Sequence, residues 1–429
     1  MAGDPKKAED SASFVEDIYG APEDFDDRPA LQGLRSGFQP WHHPVKQIVR
    51  DEQWGEQTVR LLDEHYKDVE VLKYLTLPGS DLLDVRAMTD LTRPRGVKVE
   101  YLGFDSGYVT EDAVGAVMDP SEALERDTAE AELRQAGKIT SNCDVIRYRL
   151  EDIALKNSPA KDRLDQHGAF HIINVDACDF IGHCPPNQPR NTFDALQVLL
   201  AHQFRATKPW MLYLTTRARP EFATGPSDHF KKAVNDNLAV VGGDFRPALA
   251  ACLDIDESEL SVRLNDTWAQ MGPNYLKLFT VGLGKYLLQF YNGQPGHQAN
   301  VKLTSAYTYR IHGPEPDMLA IAFKIIPAQP VAHPATVGGT SIAIASLEPV
   351  RAVHIANRAA KLRNLDHDLE TDADLRQRAC DNSLALLRAA RYDLSKYTAW
   401  LEAHPQRPMK LEPQEALLQA ASEPDPVQS

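Results

Sequence analysis

Cysteine, long apolar runs and positive charge are all scarce in this chain. The five cysteines among its 429 residues, Cys143, Cys178, Cys184, Cys252 and Cys380, form no CxxC pair. Neither a disulfide framework nor a zinc ribbon is expected, and the thiols read as reduced. No run of about 18 apolar residues is available to span a bilayer, and the stretch MAGDPKKAEDSASFVED lacks the apolar centre of a signal peptide. The expectations are a cytoplasmic location and no membrane contact. Lys and Arg number 46 against 61 Asp and Glu, a formal net charge of −15. That balance argues against an autonomous nucleic-acid binder, because phosphates need concentrated cations. Nucleic acid would have to be reached through a partner or a local basic face. GxSxG, Walker and HExxH motifs are also missing, which removes the usual hydrolase and ATPase readings.

An apolar content of 43 % is enough for a large core, and the length suits two or three domains. Residues 1–40 are acidic and rich in Pro, Gly and Ser without an apolar period, which predicts a disordered or clamped tail. Residues 41–68 carry a leading helix, VKQIVRDEQWGEQTVRLLDEHY, with Pro44 in its first turn. From 69 to 326 apolar runs of strand length (71–77, 97–104, 143–150, 170–177, 210–216) alternate with stretches of helical length, which predicts an α/β fold with a doubly wound, mostly parallel sheet. A polar insertion at 217–272 and an apolar helix follow. Then 301–311 and 318–326, joined by HGPEPD, read as an antiparallel strand pair. Residues 327–346 have linker composition, with IAIA as a candidate short strand. Residues 347–405 are helical, with Leu384, Leu387, Arg391, Leu394 and Tyr397 or Thr398 on one stripe. Residues 406–429 form a flexible tail.

YLTLPGSDLLDVRAMTD, from residue 74, allows two readings. VLKYLTL is the first strand, Pro78-Gly79 stops it, Ser80 caps, and DLLDVRAMTDLT is a crossover helix ended by Pro94 and Gly96. Alternatively, PGSD turns a hairpin into a strand LLDV. The helix is preferred, since a hairpin leaves little chain before Pro94 for a crossover.

Five parallel strands, a helix and a C-terminal antiparallel pair resemble the class I S-adenosylmethionine-dependent methyltransferases, over about residues 70–326. The resemblance implies a cofactor site for S-adenosylmethionine and no metal. The acid that holds the ribose hydroxyls at the end of the second strand would be Asp105, in LGFDSG. The backbone loop after the first strand would be Gly79, Ser80 and Asp81, with one glycine where the family has a GxGxG-like run and with Asp81 placed to meet the cofactor's ammonium. Asp152 would lie near the adenine, and it is equally suited to cap the following helix.

INVDACDFIGHCPPNQP places Asn174, Asp176 and Asp179 around the end of the fourth strand, on the crevice side of the sheet. Strand alternation puts Asn174, Asp176 and Cys178 on one face. Asp176-Ala177-Cys178 and Cys184-Pro185-Pro186-Asn187 each resemble, in part, motifs of cytosine- and amino-methylating enzymes. Asp176, Asp179 and Asn174 are therefore the catalytic candidates. Loop hydrogen bonds are the alternative use of the two acids, and a small buried thiol is the preferred reading of Cys178.

Ahead of the sheet, Lys46, Arg50 and Trp54 recur at four-residue steps beside His43, a cationic and aromatic helix face that suits phosphate or a protein partner. A solvated face whose tryptophans pack on the sheet is the preferred alternative. Arg217, after the fifth strand, is a further phosphate candidate, or an ordinary ion-paired arginine. Two functional expectations follow. The favoured one is a methyltransferase-like scaffold subunit acting with other proteins, loosely resembling bacterial proteins that imply a defence-related assembly. The other is an active methyltransferase acting on nucleic acid or a small molecule.

Overall fold

The structure is a computed structural model that describes residues 33–105, 120–177, 179–184, 189–222, 225–240, 243–328 and 348–403. The expected tail at 406–429, most of the 1–40 tail, most of the linker with its IAIA strand, Cys178 and Pro185–Asn187 lie outside the described residues.

Eight strands form one sheet in the order β3-β2-β1-β4-β5-β7-β6-β8. They are β1 (Val71–Thr76), β2 (Lys98–Phe104), β3 (Asp144–Ile146), β4 (Ile172–Asp176), β5 (Trp210–Arg217), β6 (Ala299–Tyr309), β7 (Met318–Pro327) and β8 (Arg363–Asn364). The first five are parallel, and β7 inserts antiparallel between β5 and β6. This is the doubly wound, mostly parallel α/β sheet with a C-terminal antiparallel pair that the alternation predicts. The two-residue β8, parallel to β6, is too short to leave a signal in the sequence.

The helices are α1 (Pro44–Ile48), α2 (Glu56–His65), α3 (Leu83–Thr92), α4 (Pro120–Gln135), α5 (Pro159–Asp165), α6 (Thr192–His202), α7 (Pro226–Leu238), α8 (Phe245–Leu253), α9 (Leu260–Ala269), α10 (Pro273–Asn292), α11 (Glu348–Ala359), α12 (Leu365–Thr371), α13 (Ala373–Ala389) and α14 (Leu394–Ala403). A π-helical stretch, Val49–Gly55, joins α1 to α2. Every residue of β5 is buried, because helices cover both faces, so its sequence runs apolar from Trp210 to Leu214 instead of alternating. One face packs on α1 to α4, α12 and α13, and the other on α5 to α11. A smaller third cluster joins Leu83 with Leu386, Leu387, Ala390, Tyr392 and Tyr397, and Phe38, Trp41 and Trp400 pack against it.

Three local expectations change. LLDV does open a helix, but α3 starts at Leu83, with Leu82 in left-handed conformation (φ 53°) before it; Ser80 does not cap it. The insertion holds α7 to α9, whose apolar residues join the main core. The C-terminal stripe is not one helix: the chain breaks at Arg391 (φ 64°) between α13 and α14.

Candidate functional site

The carboxyl ends of β1, β2, β4 and β5 open on one side of the sheet, where an α/β fold binds its ligands. Gly79 is exposed there, and its backbone does not have a positive φ. A Cβ built on it would meet only Asp81 Oδ1, at 3.3 Å. A side chain here would need the Asp81 carboxylate to give by a few tenths of an ångström. The tight glycine lies instead at Gly103 in β2, where a Cβ would fall 2.7 Å from the Pro78 ring. Gly103 thus lets the loop after β1 fold down onto β2.

Asp81 does not face the crevice as expected for an ammonium contact. It is buried and accepts from Tyr392 Oη at 2.8 Å and His42 Nε2 at 3.3 Å. His42 Nδ1 accepts from the Gln39 amide at 2.8 Å, which assigns the proton to Nε2 and makes the imidazole a donor to Asp81. Burial works against the Asp81 charge, but the His42 and Tyr392 donors outweigh it and hold the carboxyl at about 2. Ser80 Oγ donates to Glu125 of α4 at 3.3 Å.

At the end of β4, Asp176 binds Lys46 Nζ. That ammonium also reaches Thr215 Oγ1 (3.4 Å) and Tyr309 Oη (3.5 Å) and lies 5.1 Å from the Trp54 ring centroid. Burial would lower the Lys46 pKa, yet the Asp176 carboxylate prevails and keeps it above its ordinary value. Asn174 donates to Tyr74 Oη at 2.9 Å, and Tyr74 Oη donates to Asp84 at 3.0 Å. Asn174 Oδ1 is buried without a hydrogen-bond partner. Asp84 also accepts from Thr76 Oγ1. Burial raises its carboxyl above the usual range; the two hydroxyls pull it back and the charge of Asp176 adds to the rise. Asn174 and Asp176 thus share a face, as alternation requires, and join Lys46 and Asp84 in one polar cluster.

Asp84 was not among the sequence candidates. Its only signal was an acid in the first turn of a helix that directly follows a strand, and that pattern usually means dipole complementarity. Lys46 and Arg50 were assigned to a surface for phosphate or a partner, and both are buried, at 4 % and 7 % exposure. Their four-residue spacing does put them on one face with Trp54, but that face packs on the sheet. Arg50 donates to the Trp41 carbonyl at 3.1 Å. His43 accepts from the Val45 amide at 3.2 Å and caps α1. Arg217 is buried, 3.5 Å from Asp317, which His312 also binds at 2.6 Å. It has no surface with which to hold phosphate.

Asp105 ends β2 as expected and accepts from Arg126 of α4 at 2.9 Å, its side chain 24 % exposed. Asp152 accepts from the Arg149 amide at 2.9 Å, reaching back across the first turn of a 3-10 helix instead of standing at its N-cap. Asp179 accepts from the Phe180 amide at 2.6 Å, and its carbonyl accepts from Thr216 Oγ1. These are loop-forming roles. Among the described residues no His, Cys, Asp and Glu cluster has metal-ligand geometry, and no helix is long and apolar enough to cross a membrane.

No curated protein sequence matches the chain. A solved structure from Listeria monocytogenes, described as a candidate class I S-adenosylmethionine-dependent methyltransferase, is similar over 78 % of this chain and 71 % of its own, at 8 % identity and a TM-score of 0.31. A family model matches residues 35–402, spanning the leading helical run, the whole sheet and the C-terminal helices. The chain belongs to the PP_RS20740-like family.

Proposed function

We propose that the chain is an S-adenosylmethionine-dependent methyltransferase acting on a small, non-phosphorylated acceptor. The observation that carries this reading is the Lys46–Asp176 pair at the end of β4, set in a cluster with Asp84, Asn174, Tyr74 and Tyr309. Burying an ammonium and two carboxylates costs stability that a plain scaffold has no reason to give up, and such groups concentrate where chemistry is done.

The described residues fit the cofactor. Exposed Gly79 admits a close backbone approach, part-exposed Asp105 suits two ribose hydroxyls, and half-buried Asp84 takes over the ammonium contact expected of Asp81. When bound, S-adenosylmethionine supplies an electrophilic methyl group. Asp176, paired with Lys46, accepts a hydrogen bond from the acceptor's N–H or O–H, orients its lone pair toward the methyl carbon and takes the proton that is released. The acceptor carries no phosphate chain, because Lys46, Arg50 and Arg217 are buried and engaged.

Titration calorimetry tests this. Binding of S-adenosylmethionine at millimolar concentration or below is expected, weakened at least tenfold in Asp105→Ala and little changed in Asp176→Asn, whose loss is in turnover. A folded wild-type chain that gives no heat would favour the scaffold reading instead. That second reading draws on Asp81, the loop acid held away from the crevice by both ends of the described chain.

A further inference from the structure

We propose that His42 and Tyr392 are positioning residues that hold the loop between β1 and α3, so that the docking of the C-terminal helices controls the conformation of the crevice's main backbone segment. The inference stands whether or not that crevice binds S-adenosylmethionine.

Two chain segments distant in sequence converge on the loop. From the N-terminal side, residues 35–42 run past it; from the C-terminal side, the break between α13 and α14 lies against it. The two are tied to each other by backbone bonds, Arg35 amide to Arg391 carbonyl at 3.0 Å and Asp393 amide to Arg35 carbonyl at 2.9 Å. Tyr397 Oη donates to the His42 carbonyl at 2.8 Å. Phe38 fills the space among Tyr392, Tyr397 and Trp400, with ring centroids 5.4 to 5.7 Å apart.

The loop is gripped at two points. Asp81 takes the His42 and Tyr392 donors through its side chain. Its carbonyl accepts from Arg86 Nε at 3.1 Å, while Arg86 Nη1 donates to the Ala389 carbonyl at 3.0 Å. Arg86 therefore joins the loop to the end of α13 directly. The titratable and charged groups around Asp81 from the packed elements are Arg35, Arg86, Tyr392 and the His42 imidazole.

Two of the four left-handed non-glycine residues among the described residues lie at the same place. Leu82 and Arg391 are both left-handed non-glycine residues, at φ 53° and 64°. Such conformations persist where surrounding contacts over-determine them. Leu82 itself packs in a sheet-facing core, whereas its neighbour Leu83 and the residues flanking Arg391, Ala390 and Tyr392, belong to the separate third apolar cluster. A small separate cluster can open as a unit while the sheet stays intact. When it opens, Asp81 loses both side-chain donors together.

Hydrogen exchange read by mass spectrometry on the full chain tests the proposal. Tyr392→Phe removes one donor and keeps the ring packing. Exchange of residues 77–83 is expected to rise about tenfold, the scale of one hydrogen bond to a buried carboxylate, together with residues 35–42 and 390–401. Amides of β4 and β5 should stay at wild-type rates. Asp81→Asn, made separately, should loosen the same three segments. Unchanged exchange at 77–83 in both variants, or a rise there only in step with β4 and β5, would overturn the assignment.

Discussion

Lys46 and Asp176 show how burial changes the meaning of a charged residue. On a surface the pair would contribute at most about 1 kcal/mol. Here Lys46 is 4 % exposed, so removing either partner strands a desolvated charge. Lys46→Met alone should cost about 3–5 kcal/mol of unfolding free energy. Asp176→Asn should also destabilise. The double variant Lys46→Met/Asp176→Asn should lose clearly less than the two singles combined, because neither charge is then left behind. Urea unfolding of the four proteins measures this, and additivity within about 0.5 kcal/mol would show that the two side chains act independently. His42 is likewise engaged on both sides, a donor to one buried acid through Nε2 with its other nitrogen satisfied by a backbone amide.

At the scale of elements, the β1–α3 loop inverts the usual assignment of glycine roles. One glycine, Gly79, stands in the loop itself, and the residue that tight packing requires to be glycine is on the neighbouring strand. Gly103→Ala should therefore destabilise by about 1–3 kcal/mol, since its Cβ would overlap the Pro78 ring. Gly79→Ala should leave the urea midpoint within the range of an ordinary surface change, about 0.5 kcal/mol. If Gly79→Ala proved the more damaging to stability, the single 3.3 Å contact with Asp81 would matter more than the overlap at Pro78. Helix starts and stops were legible in this region only approximately. Pro78-Gly79 does end β1 and Pro94 does lie past α3, as steric rules require. Ser80 looked like the cap, yet its hydroxyl is taken by Glu125, forty-five residues away in sequence, a competition that local propensity does not contain.

Over the whole molecule, buried carboxylates set the response to acid, and they pull in opposite directions. Asp81, at about 2, and Asp317 sit below their ordinary value of 3.8; in both, burial opposes the shift and histidine donors overcome it. Each contributes stability that is fully present above the unfolded value and is lost as pH falls through the folded one. Asp84 and Asp51 are raised, chiefly by burial, and for them protonation on acidification favours the folded state. The Asp81 contribution is about 2 kcal/mol between pH 5 and pH 2. Asp81→Asn should accordingly be less stable than wild type at pH 6 and should flatten the acid limb between pH 4 and 2. Equal slopes for the two proteins in that interval would show that His42 and Tyr392 do not stabilise the carboxylate.

The sequence by itself determined the architecture: five strand-length apolar runs alternating with helical stretches, then an antiparallel pair, leave few sheets to build, because periodicity and chain connectivity are properties of neighbouring residues. It also placed Asp105 at the end of β2 and Asn174 and Asp176 on one face of β4, since strand ends and alternation are equally local. Only the tertiary structure decided which charges meet. Lys46 lies 130 residues from Asp176, and Tyr392 lies 311 from Asp81. The four-residue spacing of Lys46, Arg50 and Trp54 revealed a common face but not whether water or a sheet lay opposite. Direction relative to the core depends on packing that no stretch of sequence holds alone, and here it turned a candidate partner surface into a buried face against the sheet.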